Sequence, residues 1–178
     1  MKKIEIKIIG FVGLGVMGSS MCKNLLRNKE WQVLVKDLNP KIEKILENNG
    51  ANISPNIDQI FEQSDLVITC LPGGDFVKEL YFTKQKMIQK IKRDQFIIDM
   101  STSQPDLMVE LQKETKNRMA YFADAPIART RQAAVDGTLA IMVGSEKDVF
   151  EKITPILEYM GKDIMFCGKV GSGQLTKI

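Results

Sequence analysis

The stretch that most constrains the fold is a glycine pattern close to the start of the chain. Gly13, Gly15 and Gly18 form a G-x-G-x-x-G between an apolar, β-branched run (Ile4 to Gly13) and a helical pattern (Met17 to Arg27). In such a pattern the first glycine allows a tight turn, the second lets a diphosphate approach the backbone, and the third lets the helix pack closely on the strand. The free amides at the helix N-terminus attract phosphate charge. The pattern predicts a strand–turn–helix unit that binds a nucleotide, although a simple packing turn has the same local sequence.

Short β-branched runs alternate with helical patterns along most of the 178 residues. The predicted strands are Ile4 to Gly13, Trp31 to Asp37, Asp65 to Leu71, Gln95 to Ser101, Met119 to Ile127, Thr138 to Gly144 and Lys162 to Gly168. The predicted helices are Met17 to Arg27, Pro40 to Asn49, Phe76 to Tyr81, Gln104 to Asn117 and Glu146 to Met160, with Ser103 placed to cap the fourth. Strands that are apolar on both faces suit a parallel sheet covered on both sides. The alternation predicts a doubly wound, mostly parallel α/β sheet.

Composition narrows the chemistry. The chain has no histidine, which excludes Ser-His-Asp and Cys-His hydrolases and any His-ligated metal site. A net charge of +3 without a run of like charges favours neither a nucleic-acid nor a membrane partner. The three cysteines, Cys22, Cys70 and Cys167, are widely spaced and odd in number, which indicates buried free thiols in a reducing, cytoplasmic compartment.

An acidic residue follows the second predicted strand. Asp37 lies 24 residues after Gly13, about where the ribose-binding acid of a dinucleotide site is expected. Its carboxylate can accept hydrogen bonds from the ribose hydroxyls, and its charge would repel a 2′-phosphate. We therefore expect NAD in preference to NADP, although Lys36 and Lys41 lie nearby.

Five ordered segments carry a resemblance to a known family. They are Gly10 to Leu25, Cys70 to Phe82, Asp99 to Pro105, Asp124 to Ser145 and Gly168 to Ile178. Together they resemble the β-hydroxyacid dehydrogenase family, which includes the 3-hydroxyisobutyrate dehydrogenases. The resemblance spans nearly the whole chain and implies a Rossmann-type cofactor domain.

The resemblance also implies which residues hold the cofactor. The adenosine diphosphate half would contact Gly13, Leu14, Gly15, Val16, Met17, Gly18 and Asp37. The nicotinamide half would contact Leu71, Pro72 and Thr102, and Asp75 stands where the family has another cofactor contact. Thr102 could equally be a turn or helix-entry residue beside Ser101.

A lysine near the end of the chain matches the catalytic lysine of the family. Gly171, Gly173 and Lys177 form the G-x-G-x-x-x-K pattern, and the resemblance makes Lys177 the catalytic residue. In a chain without histidine, a partly buried lysine beside the nicotinamide could move the hydroxyl proton and stabilise the developing alkoxide. The residue types alone would equally describe a solvated lysine.

The segment Ala128–Arg129–Thr130 departs from the Ser-Gly-Gly that the family usually has at its substrate site. It is more similar to the branch with sulfolactaldehyde reductase, which has Gly-Arg-Thr there. We assign Ala128, Arg129 and Thr130 to substrate binding, because a guanidinium can grip a carboxylate, sulfonate or phosphate. Alternatively, Arg129 pairs with a nearby acid.

The resemblance sets the expected domain organisation. Residues 1–176 are predicted to form the dinucleotide-binding domain, and residues 177–178 the start of a truncated interdomain helix. Family members continue into an all-helical C-terminal domain that completes the substrate pocket and usually the dimer, so the full-length parent is expected to be a homo-oligomer. Without that continuation we expect the interdomain helix not to form and Lys177 to be frayed and solvated.

The predicted function is that of an NAD-dependent oxidoreductase. It would transfer a hydride between nicotinamide and a small acidic 3-hydroxy compound or its semialdehyde, of the 3-hydroxyisobutyrate, tartronate semialdehyde or sulfolactaldehyde type. The chain itself is expected to be the cofactor domain and inactive alone. The alternatives are a non-catalytic NAD-binding module and a relative of the imine reductases, which usually replace the lysine.

Overall fold

The β-branched runs form one nine-stranded sheet in the computed structural model, which describes residues 4–177. The strands are β1 (Ile8–Val12), β2 (Gln32–Lys36), β3 (Asn52–Ile53), β4 (Leu66–Thr69), β5 (Phe96–Asp99), β6 (Tyr121–Asp124), β7 (Ile127–Ala128), β8 (Leu139–Ser145) and β9 (Gly161–Gly168). The α-helices are α1 (Val16–Leu25), α2 (Pro40–Glu47), α3 (Ile57–Gln63), α4 (Gly74–Lys78), α5 (Pro105–Asn117), α6 (Arg131–Asp136), α7 (Lys147–Leu157) and α8 (Ser172–Lys177). A π-helical turn, Glu79–Thr83, continues α4, and a 3₁₀ turn spans Met87–Lys90.

Six strands form the parallel part of the sheet, in the order β3-β2-β1-β4-β5-β6. The chain winds outward from β1 through β2 to β3, then returns to place β4, β5 and β6 on the other side. The strand order therefore reverses between β1 and β4. In open α/β sheets, ligands bind outside the carboxyl ends of the strands at such a reversal. The expectation of a doubly wound, mostly parallel sheet is confirmed.

An antiparallel extension follows the parallel part. Strand β8 runs antiparallel to both β6 and β7, with Asp124 opposite Gly144 and Ile127 opposite Ile141. These pairs share one register, so β6 and β7 lie along the same edge of β8 and are separated only at Ala125–Pro126. Strand β9 pairs in parallel on the other edge of β8. The strand predicted over Met119 to Ile127 is thus two short strands.

Two apolar cores cover the two faces of the sheet, because alternate side chains of each strand point to opposite faces. On one face, Ile9, Phe11 and Ile68 pack with residues of α1, α6 and α7. On the other, Val67 and Ile97 pack with residues of α3, α4 and α5. None of the helices within residues 4–177 is long and apolar enough to cross a lipid bilayer.

Some local predictions were wrong. Gln104, not Ser103, occupies the N-cap of α5, and the buried hydroxyl of Ser103 has no hydrogen-bond partner within the described residues. Lys177, expected to be the first residue of an interdomain helix, is instead the last residue of α8, which begins at Ser172, and residue 178 lies outside the described residues. Strand β3 and helices α3 and α6 were not predicted, because each is short and has little periodicity of its own. All three cysteines are free thiols, but only Cys22 is fully buried.

Candidate functional site

The glycine turn lies where the sequence predicts it, between β1 and α1. Gly13 adopts φ +93°, a conformation that side chains disfavour, and a Cβ there would collide with the carbonyl of Cys70. A Cβ on Gly18 would collide with the carbonyl of Gly13, so this glycine lets α1 pack against the turn. A Cβ on Gly15, by contrast, would meet nothing within 4 Å. The space beside Gly15, at the N-terminus of α1, is where a diphosphate would approach the backbone.

Asp37 directly follows β2 and is hydrogen-bonded to the glycine turn. Its Oδ2 accepts a hydrogen bond from the amide of Leu14 at 2.6 Å, and its Oδ1 accepts one from the amide of Asn39 at 2.8 Å. The neighbouring Lys36 ammonium is paired with Glu43 at 2.9 Å. Lys36, the cation next to Asp37 in the sequence, therefore pairs with Glu43 of α2 and not with the carboxylate of Asp37.

A cleft of about 590 Å³ opens between the carboxyl ends of β1 and β4. Its wall is mostly apolar and includes the glycine turn, the end of β2 and the segment after β4. The lining residues are Val12, Gly13, Gly15, Val16, Met17, Gly18, Lys36, Asp37, Leu38, Ile57, Cys70, Leu71, Pro72, Phe76, Glu79, Leu80 and Gln85. The cleft thus brings together most of the predicted cofactor-binding residues. Leu38, whose side chain is almost fully exposed at the rim, and the π-helical turn were not predicted as part of it.

Three predicted cofactor residues lie outside the cleft lining. Leu14 is fully buried and contributes its amide to Asp37. Asp75 is exposed in the first turn of α4, and Thr102 is exposed in the loop after β5. The carbonyl of Thr102 faces Gly73, so this loop lies close to the segment after β4.

A buried polar cluster, which the sequence analysis missed, lies beneath the cleft. Asp99 Oδ1 accepts hydrogen bonds from the hydroxyls of Thr69, at 2.7 Å, and Ser101, at 2.8 Å. Burial raises the pKa of Asp99 to about 6. The two hydrogen bonds stabilise the ionised carboxylate and therefore lower the pKa, but by less than burial raises it. Asp99 Oδ2 has no hydrogen-bond partner among residues 4–177. An acid in an otherwise apolar strand, Phe96–Asp99, was the available signal.

A second buried acid holds the start of α8. Asp124, at the end of β6, accepts hydrogen bonds from the amides of Gly171, at 2.7 Å, and Gln174, at 2.9 Å. Burial raises the pKa of Asp124, and the same two amides act in the opposite direction. The side chain of Gln174 in turn donates to the carbonyl of Ser101 at 2.8 Å. Helix α8 is therefore fastened to both β5 and β6.

Lys177 is the last residue of α8 and is half-buried rather than frayed. Its ammonium donates to the carbonyl of Ile127 on β7. Burial raises the pKa of the Cys70 thiol to about 12, and the positive charge of Lys177 opposes that rise. The expectation of a solvated lysine was wrong because the contacts of α8 with β6 and β7 hold the helix in place.

The segment Ala128–Arg129–Thr130 joins β7 to α6, next to the carbonyl that Lys177 contacts. The Arg129 guanidinium pairs with Asp163 of β9 and donates to the carbonyl of Thr138 at 2.9 Å. Arg129 also adopts φ +91°. The hydroxyl of Thr130 caps α6 by accepting from the amide of Ala133. The structure thus places Arg129 near the lysine with its charge paired to an acid, the alternative that the sequence left open.

These features fit a dinucleotide. The room at Gly15 and the α1 amides suit a diphosphate, Asp37 suits a ribose, and the apolar cleft wall suits flat rings. Fold and site together define a dinucleotide-binding α/β domain. The chain belongs to the family whose sequence model is described as the NAD binding domain of 6-phosphogluconate dehydrogenase, and that model matches residues 8–168.

Similar proteins agree with the resemblance noted from the motifs. The chain is 37% identical to "Uncharacterized oxidoreductase YkwC" of Bacillus subtilis, covering 97% of this chain and 59% of that protein. It is 35% identical to mouse mitochondrial 3-hydroxyisobutyrate dehydrogenase, over 96% of this chain and 50% of the relative. It is 34% identical to Escherichia coli 3-sulfolactaldehyde reductase, over 96% and 57% respectively.

A solved structure shows the same fold. The Mycobacterium tuberculosis 3-hydroxyisobutyrate dehydrogenase with L-serine superposes with a TM-score of 0.89 at 28% identity, covering 97% of this chain and 58% of that one. The chain therefore spans between half and three fifths of the length of these relatives.

Proposed function

We propose that the chain is the cofactor half of an NAD-dependent oxidoreductase that transfers a hydride between nicotinamide and a small acidic 3-hydroxy compound or its semialdehyde. The observation that carries the proposal is the position of Lys177. Its ammonium is held on the carbonyl of Ile127, directly before the segment Ala128–Arg129–Thr130. The helix that carries it is hydrogen-bonded through Gln174 to Ser101, whose hydroxyl holds the cleft residue Leu71. A cofactor site alone would not need a cation there.

The residues of this chain supply the proton chemistry of that reaction. A bound NAD⁺ would supply the acceptor for the hydride that leaves the alcohol carbon. The hydroxyl must then lose its proton, and the Lys177 amine takes it. In the reverse direction the Lys177 ammonium donates a proton to the carbonyl oxygen. Its positive charge also stabilises the negative charge that develops on this oxygen.

An acidic substrate is supported by the segment beside Lys177. Arg129 is exposed and can exchange Asp163 for an anionic group of a substrate, since exposed ion pairs contribute little. Two similar proteins are named for reactions of small acids, 3-hydroxyisobutyrate and 3-sulfolactaldehyde. In the longer protein that turns over such an acid, Arg129→Ala should lower kcat/KM about tenfold or more and leave NADH affinity unchanged, with Arg131→Ala as the control. An unchanged kcat/KM would remove Arg129 from the substrate site.

NAD is the preferred nucleotide in this proposal. The Asp37 carboxylate faces the cleft, and Lys36 is paired with Glu43, so no cation beside Asp37 in the cleft lining remains free to receive a 2′-phosphate. Titration with NADH and NADPH tests this preference. Asp37→Asn keeps the side-chain shape but removes the charge, and it should narrow the ratio of the two dissociation constants about tenfold. Equal binding of both nucleotides to the unchanged chain would contradict the preference.

Binding and turnover can be tested separately. The 178-residue chain should bind NADH but should not oxidise a panel of small 3-hydroxy acids with NAD⁺, because a closed substrate site is expected to need the additional length that the relatives have. A longer protein from the same gene should turn over such an acid, and its Lys177→Ala variant should not. Failure of the chain to bind NADH would refute the proposal. A longer protein that binds NADH but turns over no acid would instead be a non-catalytic binding module.

The proposal includes two further expectations. The free thiols of Cys22, Cys70 and Cys167 support a cytoplasmic location. A homo-oligomer is expected of the longer protein, and light scattering of that protein would test it.

A further inference from the structure

The hydroxyl of Ser101 links the buried Asp99 to Leu71, a residue of the cleft lining. The amide of Leu71 donates to Ser101 Oγ at 2.9 Å, and Ser101 Oγ donates to Asp99 Oδ1 at 2.8 Å. Leu71 lines the cleft, whereas Asp99 and Ser101 are buried beneath it. The backbone of the segment after β4, which faces the cleft, is therefore hydrogen-bonded through Ser101 to the last residue of β5.

The direction of these hydrogen bonds is what orients the segment. A serine hydroxyl has a single proton, and here that proton is committed to Asp99. A lone pair of Ser101 Oγ is thereby turned toward the amide of Leu71. Thr69 donates to the same carboxylate oxygen at 2.7 Å, which limits the motion of the carboxylate. Hydrogen bonds of this kind are strengthened by charge and by the low dielectric of a buried site.

Ser101 also connects the cleft segment Leu71–Pro72 to α8, the helix that ends in Lys177. Its carbonyl accepts a hydrogen bond from the side chain of Gln174 on α8 at 2.8 Å, and Gln174 accepts one from the amide of Ser103 at 3.0 Å. One residue thus contacts the segment after β4 and the helix that ends in Lys177. A shift of Ser101 would move both sides of the place where a nicotinamide and a substrate must meet.

Packing alone does not account for an acid at this position. Phe96, Ile97 and Ile98 complete the same strand, and all are buried. A buried carboxylate costs free energy that an apolar side chain would not, and one oxygen of Asp99 has no hydrogen-bond partner among residues 4–177. What distinguishes Asp99 from an apolar residue is therefore its other oxygen, which accepts from the hydroxyls of Thr69 and Ser101.

We propose that Asp99 and Ser101 are positioning residues that fix the segment Leu71–Pro72 against the nicotinamide half of the cofactor. This inference rests on the proposed function, which supplies the dinucleotide. Neither residue needs to touch the ligand. Their effect should be confined to the nicotinamide end of the cleft, because the diphosphate and adenosine ribose would be held by the glycine turn and Asp37.

Two probes separate the halves of the cofactor. NADH carries the nicotinamide, whereas ADP-ribose lacks it and keeps the diphosphate and adenosine. The dissociation constants of both are measured by calorimetry on the 178-residue chain, with thermal unfolding of each variant as a folding check. Ser101→Ala should weaken NADH binding about three- to tenfold and change ADP-ribose binding less than about twofold. Ser103→Ala is the matched control, because it removes a buried hydroxyl without a partner from the same loop.

Variants of Asp99 test the carboxylate itself. Asp99→Leu should reproduce the selective loss of NADH affinity, because Ser101 loses its acceptor. Asp99→Asn retains an acceptor oxygen and should bring NADH affinity back to within about threefold of the unchanged chain. If Asp99→Leu does not fold, the comparison of Ser101→Ala with Ser103→Ala decides alone.

The outcomes distinguish this inference from the proposed function. A chain that binds neither NADH nor ADP-ribose removes the proposed function and the inference with it. A chain that binds both, and in which Ser101→Ala weakens them equally or not at all, overturns only the positioning role. Equal affinity of the unchanged chain for the two probes would also overturn it, since Leu71–Pro72 would then contribute nothing to nicotinamide binding.

Discussion

At the scale of single residues, Gly15 and Gly18 differ in what surrounds them. A Cβ at Gly15 would meet open space, whereas one at Gly18 would collide with the carbonyl of Gly13 and lie 3.3 Å from the Phe11 ring. Gly15→Ala should therefore unfold at the same temperature as the unchanged chain but bind NADH about tenfold more weakly or worse, because its methyl occupies the path of the diphosphate. Gly18→Ala should instead lower the free energy of unfolding by about 1–3 kcal/mol. Full NADH affinity in Gly15→Ala would contradict the assigned path.

Arg129 combines a side-chain contact with an unfavourable backbone conformation. Its φ of +91° is strained for any residue with a Cβ. Arg129→Gly and Arg129→Ala remove the same guanidinium from Asp163. The two variants therefore differ only in backbone strain at this position. We expect the free energy of unfolding of the glycine variant, measured by chemical denaturation, to be higher by about 1 kcal/mol. An alanine variant at least as stable as the glycine variant would show that the backbone is not strained.

At the scale of elements, α8 depends on an acid that lies 47 residues away from its first contact. Asp124 satisfies two amides at the start of a helix too short to persist alone. Asp124→Ala should lower the free energy of unfolding by about 2–4 kcal/mol, because two buried amides lose their acceptor. It should also speed amide hydrogen exchange across α8. Glu151→Ala, at an exposed position in the middle of α7, is the control and should change neither. Unchanged exchange in Asp124→Ala would mean that other contacts hold the helix.

Helices with apolar periodicity of their own were predictable from the sequence, whereas a helix held by contacts with distant residues was not. Helices α1, α2, α5 and α7 have their own apolar periodicity, and all four were predicted within a few residues of their observed ends. Helix α8 carries glycine and polar residues, so its periodicity is weak. Its stability comes instead from contacts with residues far away in the chain, foremost those of Gly171 and Gln174 with Asp124.

At the scale of the whole molecule, the buried acid Asp99 makes stability depend on pH. Burial raises the pKa of Asp99 to about 6, above its ordinary value of 3.8, so the folded state binds the proton more tightly than the unfolded state. The stabilisation is complete below about pH 4 and is lost as the pH rises through 6. Between pH 4 and pH 7 the unchanged chain should therefore lose up to about 3 kcal/mol of unfolding free energy relative to Asp99→Asn, which has no carboxyl group at this position. The burial of Asp124 is common to both proteins, and its negative charge adds to the raised pKa of Asp99. Denaturant unfolding at several pH values measures the difference, and a constant difference would contradict the assignment.

Local sequence by itself determined the alternation of strands and helices, the glycine turn and the acid at the end of β2, because strand period, helix period and glycine conformation act within a few residues. The motifs also made Lys177 the candidate catalytic residue, which stays a prediction. Only the tertiary structure decided its surroundings, the pairing of Arg129 with Asp163, and the tether from Asp99 through Ser101 to Leu71. Those contacts join residues about 30 to 50 positions apart. The order of strands in the sheet brings such residues together, and that order depends on the packing of the whole chain rather than on any one segment.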